Sequence, residues 1–457
     1  MRHRRLHRRL ALAAAAVLFA GTSAFAQTTE DNVVVLVNQN SPDSIAIGNA
    51  YQALRPGVTL LNIDVPVTET ISIDTYQTQL LPQVQSYLGQ GNNLANTHYL
   101  VTTKGVPYRI EGQNQFDSTP GDGVPDGLAT STFSSVESEL TLAAVDLLRQ
   151  NASVQTLSNS AGAVFNPYRA STTVDGNPNT PEFERGSTYA PVQRFDKYRR
   201  VNAASEVGSL ILTSRLDGFT VDDVIASLNR AQNVTVPSGA SFVLDRDLTF
   251  DPPIDNIVES RDGPDLLIRG LQQELEQRGV QPVLDTTAAS ITTAPNDVMA
   301  YVSLGTNGSF PGTPGDEFSY ITEDLDFDMA DGALFITYES FNATSFNLQA
   351  DGTPNNQGGQ GQVAEWIAIG GTAAAGHAFE PFARGVSNEE VVIPLLLDGF
   401  TFAEAIWLSN EFVSWQNVPI GDPLMTWDFE ELRRSNNVPE PAVGLLVLGG
   451  LALRRRR

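Results

Sequence analysis

Ser340, His377 and the carboxylates Glu339 and Glu380 are the one set in the chain that could assemble a Ser-His-acid hydrolase. In such a site the imidazole takes the serine proton and the acid fixes its tautomer. The choice of base is narrow: the histidines are His3, His7, His98 and His377, and the first two lie in an arginine-rich leader. His98 opens a predicted strand, the wrong end for a site at strand termini, and no nucleophile-elbow motif surrounds Ser340. The absence of cysteine excludes thiolate nucleophiles, thiolate metal sites and thiol redox chemistry. A second set, Lys104, Arg215, Asp217 and Asp422, brings two cations to carboxylates; it either holds an anionic group or closes structural ion pairs. A third set is acidic, with Asp122 and Asp126 in FDSTPGDGVPDG (116–127) and Asp324, Asp326 and Asp328 in a loop over 306–331. These are candidate calcium ligands, against the plainer reading of turn residues and a solvated acidic surface. Without a Walker loop or a dinucleotide fingerprint, calcium is the only cofactor the sequence suggests.

The elements that must position these residues follow from apolar patterning. Continuous apolar runs at 33–38, 58–65 and 98–103 alternate with helical patterns at 42–54 and 75–88, which predicts a doubly wound, mainly parallel α/β sheet of flavodoxin-like layout. Further strands are expected at 207–213, 241–245, 280–284, 298–304, 333–338 and 365–369, and helices at 136–150, 264–277 and 402–415. The pentapeptide LDGFT occurs at 216–220 and 397–401, each time opening a capping box, Thr220 with Asp223 and Thr401 with Glu404. Repeated turn-and-cap grammar explains this more simply than a duplicated half-domain. Stretches rich in Gly, Pro, Asn and Ser near 112–134, 151–206 and 306–331 read as loop insertions in one domain spanning 27–432. The polar residues just after predicted strands are Asn38, Lys104, Arg215, Asp217, Glu339, Ser340, His377, Glu380 and Asp422, with His377 in the apparent loop GGTAAAGHAFEP. Parallel strands would bring them to one edge, where doubly wound sheets bind ligands.

The two ends carry addressing signals. Five arginines in the first nine positions, an apolar stretch and Ala24-Phe25-Ala26 form a secretory leader over 1–26. At the other end, over 433–457, Val438-Pro439-Glu440-Pro441 precedes a twelve-residue apolar run, Ala442 to Leu453, and four arginines. As a helix the run spans about 18 Å against a hydrocarbon core of about 30 Å, so it suits transient membrane insertion better than a permanent transmembrane helix. Losing the nine arginines of both ends would shift the formal charge from −25 to about −34. Such a surface repels nucleic acid and anionic membranes.

The tail resembles the PEP-CTERM sorting signal of exported bacterial proteins. That resemblance implies signal peptidase and an exosortase-type transpeptidase as export partners, exopolysaccharide as a further partner, and a final place at the cell surface or in the extracellular matrix. NQNSPDSIAIGNAY (38–51), TKGVP (103–107), SVESEL (135–140), RLDG (215–218), EPF (380–382) and SWQNVPIGDPL (414–424) resemble an uncharacterised family of exported bacterial proteins. A looser likeness reaches gingipain-type, caspase-like peptidases, which need a His-Gly and a catalytic cysteine at successive strand ends. Here the strand ending at Tyr338 continues as Glu339-Ser340-Phe341. The resemblance therefore implies a non-enzymatic or degenerate caspase-like domain; the alternative is an extracellular hydrolase acting on peptide or glycan through the strand-end residues.

Overall fold

The computed structural model describes residues 29–111, 133–145, 164–169, 193–204, 206–246, 262–287, 290–305, 320–355, 360–382 and 385–429. The leader, the sorting tail with Val438 to Pro441, and Asp122 and Asp126 lie outside them. Ten strands join one sheet: β1 (Val33–Asn38), β2 (Thr59–Ile63), β3 (Tyr99–Thr103), β4 (Leu212–Leu216), β5 (Ser241–Asp245), β6 (Val283–Asp285), β7 (Val298–Ser303), β8 (Met329–Thr337), β9 (Ala373–His377) and β10 (Asn417–Ile420). In space they run β6-β5-β7-β8-β9-β10-β4-β3-β1-β2. Pairings are parallel on both sides of β10, whereas β10 runs antiparallel to β9, with His377 opposite Asn417 and Ala374 opposite Ile420. β10 meets β4 through one bridge of parallel hydrogen-bond pattern, Ile420 opposite Arg215. Pro419 has no N–H with which to extend it, so the course of β10 is set by its longer pairing with β9 and by where its ends attach.

Strand periodicity builds two cores from one sheet. In β1, Val33, Val35 and Val37 pack with Ile47 and Tyr51 of α1 (Pro42–Leu54), while Val34 and Leu36 pack on the opposite face with Leu81 and Val84 of α2 (Leu81–Leu88). The first face also carries α4 (Val221–Arg230), α5 (Asp262–Gln277), α8 (Glu389–Leu397) and α9 (Phe402–Ser409). The second carries α3 (Val136–Leu140), α6 (Tyr320–Glu323) and α7 (Val363–Ala368). This is the doubly wound α/β architecture expected of the apolar runs. Local chemistry starts the helices: Ser41 caps α1 by accepting from Ser44 N, with Pro42 at its first position, and both expected capping boxes form, at Thr220 and Thr401.

Several boundaries differ. Glu365–Ile369 is helix α7 rather than a strand, closed by a capping box between Gln362 and Glu365; a short, wholly buried apolar run has no periodicity to separate the two. The presumed loop around His377 contains β9, whose Ala373-Ala374-Ala375 carries little strand propensity and is held by its neighbours on both sides. At 207–213 a 3-10 turn, Glu206–Ser209, precedes β4, so that strand lies further on. The helix expected to reach Trp415 ends at Ser409. The two LDGFT copies follow a strand in one case and helix α8 in the other, which leaves capping as their common feature.

Candidate functional site

Side-chain bonds across the sheet identify its two edges. Past β3, Lys104 Nζ donates to Phe346 O (2.7 Å) and Tyr108 OH to Thr344 O (2.5 Å), so the segment leaving β8 lies at the edge where β3 and β4 end. At the other edge, Arg230 at the end of α4 donates to Gly371 O just before β9, at 2.6 Å. The carboxyl ends of both parallel halves therefore share one edge. β10 starts there, beside His377, and carries Asp422 to the opposite one. There Asp422 accepts from Tyr51 OH (2.7 Å) and from Arg55 at the end of α1 (2.6 and 2.7 Å), and from Gln232 beyond α4 (3.2 Å). Asp422 is thus separated from Lys104, Arg215 and Asp217 and ties α1 and α4 to the last strand.

Lys104, Arg215 and Asp217 do come together, with a fourth member, Glu137 of α3. Arg215 is buried between the rings of Tyr108 and Phe346, at 4.9 and 5.5 Å. Its Nε and Nη2 donate to Asp217 (2.9 and 2.7 Å), Nη1 to Glu137 (3.0 Å) and Thr102 Oγ1 (3.3 Å), and Nη2 also to Val106 O (2.6 Å). Burial lowers its pKa, but the two carboxylates more than offset this and hold it above the ordinary value. Lys104 donates to Gly218 O (2.9 Å) and Phe346 O and lies 3.5 Å from Asp217. With its donors committed to protein acceptors, the guanidinium is placed to join β3, β4, α3 and the segment after β8. Burial raises the pKa of Glu137, whose Oε2 has no partner among the described residues.

The strand termini nearer β5 hold mostly acids. A switch point, where chain connections leave for opposite faces, occurs between β5 and β7 and again between β1 and β3. The second is filled: Asn38 Nδ2 donates to Val65 O (3.0 Å) and Gly105 O (2.7 Å), Ser44 and Thr103 hydroxyls meet at 2.6 Å, and a Cβ on Gly105 (φ +91°) would lie 2.1 Å from Ser41 Oγ. At the first, Asp245 accepts from Tyr301 OH (3.1 Å) and Ser303 Oγ (3.3 Å), and burial raises its pKa to about 7. Next to it, Glu339 accepts from Tyr320 OH (3.1 Å), Thr337 Oγ1 (2.8 Å) and Gly361 N (2.9 Å). Gly305, which follows β7 with φ +63°, packs so closely that a Cβ would lie 2.2 Å from the Glu339 carboxyl carbon.

Ser340, His377 and Glu380 are not brought into a triad. His377 is fully buried, and its Nδ1 donates to Glu339 O at 2.9 Å; its Nε2 has no partner among the described residues. Burial lowers its pKa to about 4, so it is neutral at physiological pH. Glu380 accepts from Phe382 N (3.1 Å), and no hydrogen bond joins Ser340 to His377 among the described residues. Asp324, Asp326 and Asp328 follow one another along the approach to β8, and among the described residues no three His, Asp or Glu side chains converge to hold a metal ion. Sequence reasoning missed Glu137, Asp245, Tyr51 and Arg55. Two acids one residue apart in SVESEL were the available signal for Glu137, in a helix whose five residues are all buried. Comparison of the chain with family models, curated proteins and solved structures gives no match.

Proposed function

We propose that this is an exported bacterial protein whose α/β domain has a caspase-like arrangement without the catalytic chemistry, and that its C-terminal tail sorts it, through an exosortase-type transpeptidase, to the cell surface or exopolysaccharide matrix. The observation that carries the non-enzymatic part is Glu339. At the end of β8, where a caspase-like peptidase needs its nucleophile, this chain has a carboxylate engaged by Tyr320, Thr337 and Gly361 and pressed against Gly305. The preceding strand end offers Ser303-Leu304-Gly305 in place of a His-Gly. A nucleophile and a base within reach of one another are thus missing from these two termini. The saturated Lys104–Arg215 cluster also fits a structural use of the same edge. The sorting part rests on the tripartite ends of the sequence.

Two measurements test the proposal. Purified protein incubated with peptide and glycan substrate panels is expected to show no turnover; turnover that disappears in Ser340→Ala, His377→Gln or Glu339→Gln would establish the hydrolase reading. Intact-mass analysis of the exported protein is expected to find neither Met1 to Ala26 nor the residues beyond about Pro441. Recovery of the four terminal arginines would refute the sorting part.

A further inference from the structure

We propose that the groove between edge strand β2 and the helix opposite it binds neutral polysaccharide. β2 ends the sheet, and beside it lies an open groove of about 770 Å³ whose floor and walls include Asp64, Gln79, Gln83, Ser86, Tyr87 and Gln90. Of the nine residues lining it, Asp64 is the single charged one, in a chain with 53 acidic and 28 basic residues. A charged partner would find almost no countercharge here, whereas amides and hydroxyls both donate and accept, as sugar hydroxyls do. The groove is also prepared. Gln83 is pinned to the exit of β2, accepting from Asp64 N (2.9 Å) and donating to Asp64 O (2.9 Å) and Gln79 O (2.7 Å). Gln79, Ser86 and Gln90 are exposed and make no side-chain hydrogen bond among the described residues, and half-buried Tyr87 offers a ring that packs on the core below.

A second observation comes from the backbone. The helical stretch leading into α2 contains a π-turn, Tyr76–Leu80, in which Leu81 N donates to Tyr76 O. Such turns are rare and occur frequently at functional sites. This one sits in the groove wall and carries Gln79. Together a lining with one charged residue, unengaged amides over a pinned glutamine, an aromatic ring and a π-turn define a surface for a saccharide chain rather than an ion. The inference is independent of whether the strand-end edge is catalytic, since the groove is built from β2 and the helix that packs beside it.

Affinity electrophoresis in gels containing galactomannan, dextran or alginate tests it on the purified protein. Retardation is expected in at least one neutral polysaccharide and not in alginate. The double substitution Gln79→Ala with Gln90→Ala, confined to exposed side chains, is expected to weaken Kd at least about fivefold with unchanged melting. Tyr87→Ala should weaken it further. No retardation in either neutral gel, retardation in alginate alone, or retardation that survives the glutamine double variant would each overturn the proposal.

Discussion

Replacing Arg215 with Met keeps much of the apolar stem between Tyr108 and Phe346 while removing the charge. Two carboxylates then lose a guanidinium at 2.7–3.0 Å, but their losses are unequal. Asp217 retains Lys104 at 3.5 Å and the Gly218 N–H at 2.9 Å. Among the described residues Glu137 retains the Thr102 hydroxyl alone, at 2.5 Å, as a side-chain partner. The cost is therefore nearer that of one broken buried pair, about 3–5 kcal/mol, than of two, with on the order of 1 kcal/mol more from the cation–π contacts. Its pH dependence identifies the stranded group. Burial already raises the Glu137 pKa, and loss of Arg215 raises it further, so the folded variant binds a proton that the unfolded chain releases above its ordinary range. Stability of the variant must then fall as pH rises through that raised value, making its deficit larger at pH 8 than at pH 5. Urea unfolding at both pH values measures this, and adding Glu137→Gln to Arg215→Met should recover part of the loss. A variant that melts like the parent but no longer binds acidic glycans or peptide carboxylates would refute the structural reading and make the cluster a ligand site.

Other expectations follow from the same geometry. Glu389 forms no ion pair among the described residues; burial raises its pKa from 4.5 to about 8 while Tyr338 OH donates to it at 2.6 Å. Stability from this group is full below the unfolded value and lost as pH rises through about 8, so Glu389→Gln should flatten the fall of urea-measured stability between pH 5 and 8. His377 acts in the opposite sense: its pKa is lowered from 6.5 to about 4, so its contribution is present above the unfolded value and lost as pH falls towards 4, a loss that His377→Gln should reduce in acid unfolding curves. Asp422→Asn leaves Arg55 with Glu30, at 3.5 Å, as its one carboxylate partner among the described residues, and should cost about 2–3 kcal/mol in urea unfolding; a change below about 0.5 kcal/mol would remove Asp422 from the framework that joins α1 and α4.

The sheet was legible where apolar runs are continuous and buried on both faces, as in Val33–Asn38 and Val298–Ser303. It was illegible where neighbours impose the conformation. Ala373-Ala374-Ala375 becomes β9 because β8 and β10 supply hydrogen bonds on both sides, whereas Glu365–Ile369 yields to a capping box and the packing of Trp366 against Tyr301 and Phe335. The capping boxes at Thr220 and Thr401 were readable because they depend on residues three positions apart.

Site residues were legible to the extent that strand ends were. Lys104 and Asp217 were found because each follows a parallel strand, and Arg215 because it lies at the carboxyl end of β4, beside β3. Asp422 was misplaced with them because one antiparallel strand reverses the chain, and no local pattern announces a reversal. Glu137 was missed because a carboxylate on a short helix becomes part of the edge only through tertiary packing. The physical difference between a site and a lock is also nonlocal. Arg215 and Glu339 have the residue types of functional groups, yet their bonding atoms are taken up by Asp217, Glu137, Tyr320 and Gly361. The groove beside β2 has the reverse character. Its glutamines look like ordinary surface residues in the sequence, and they become candidates only because the fold leaves Gln79 and Gln90 unengaged beside an edge strand in an otherwise acidic protein.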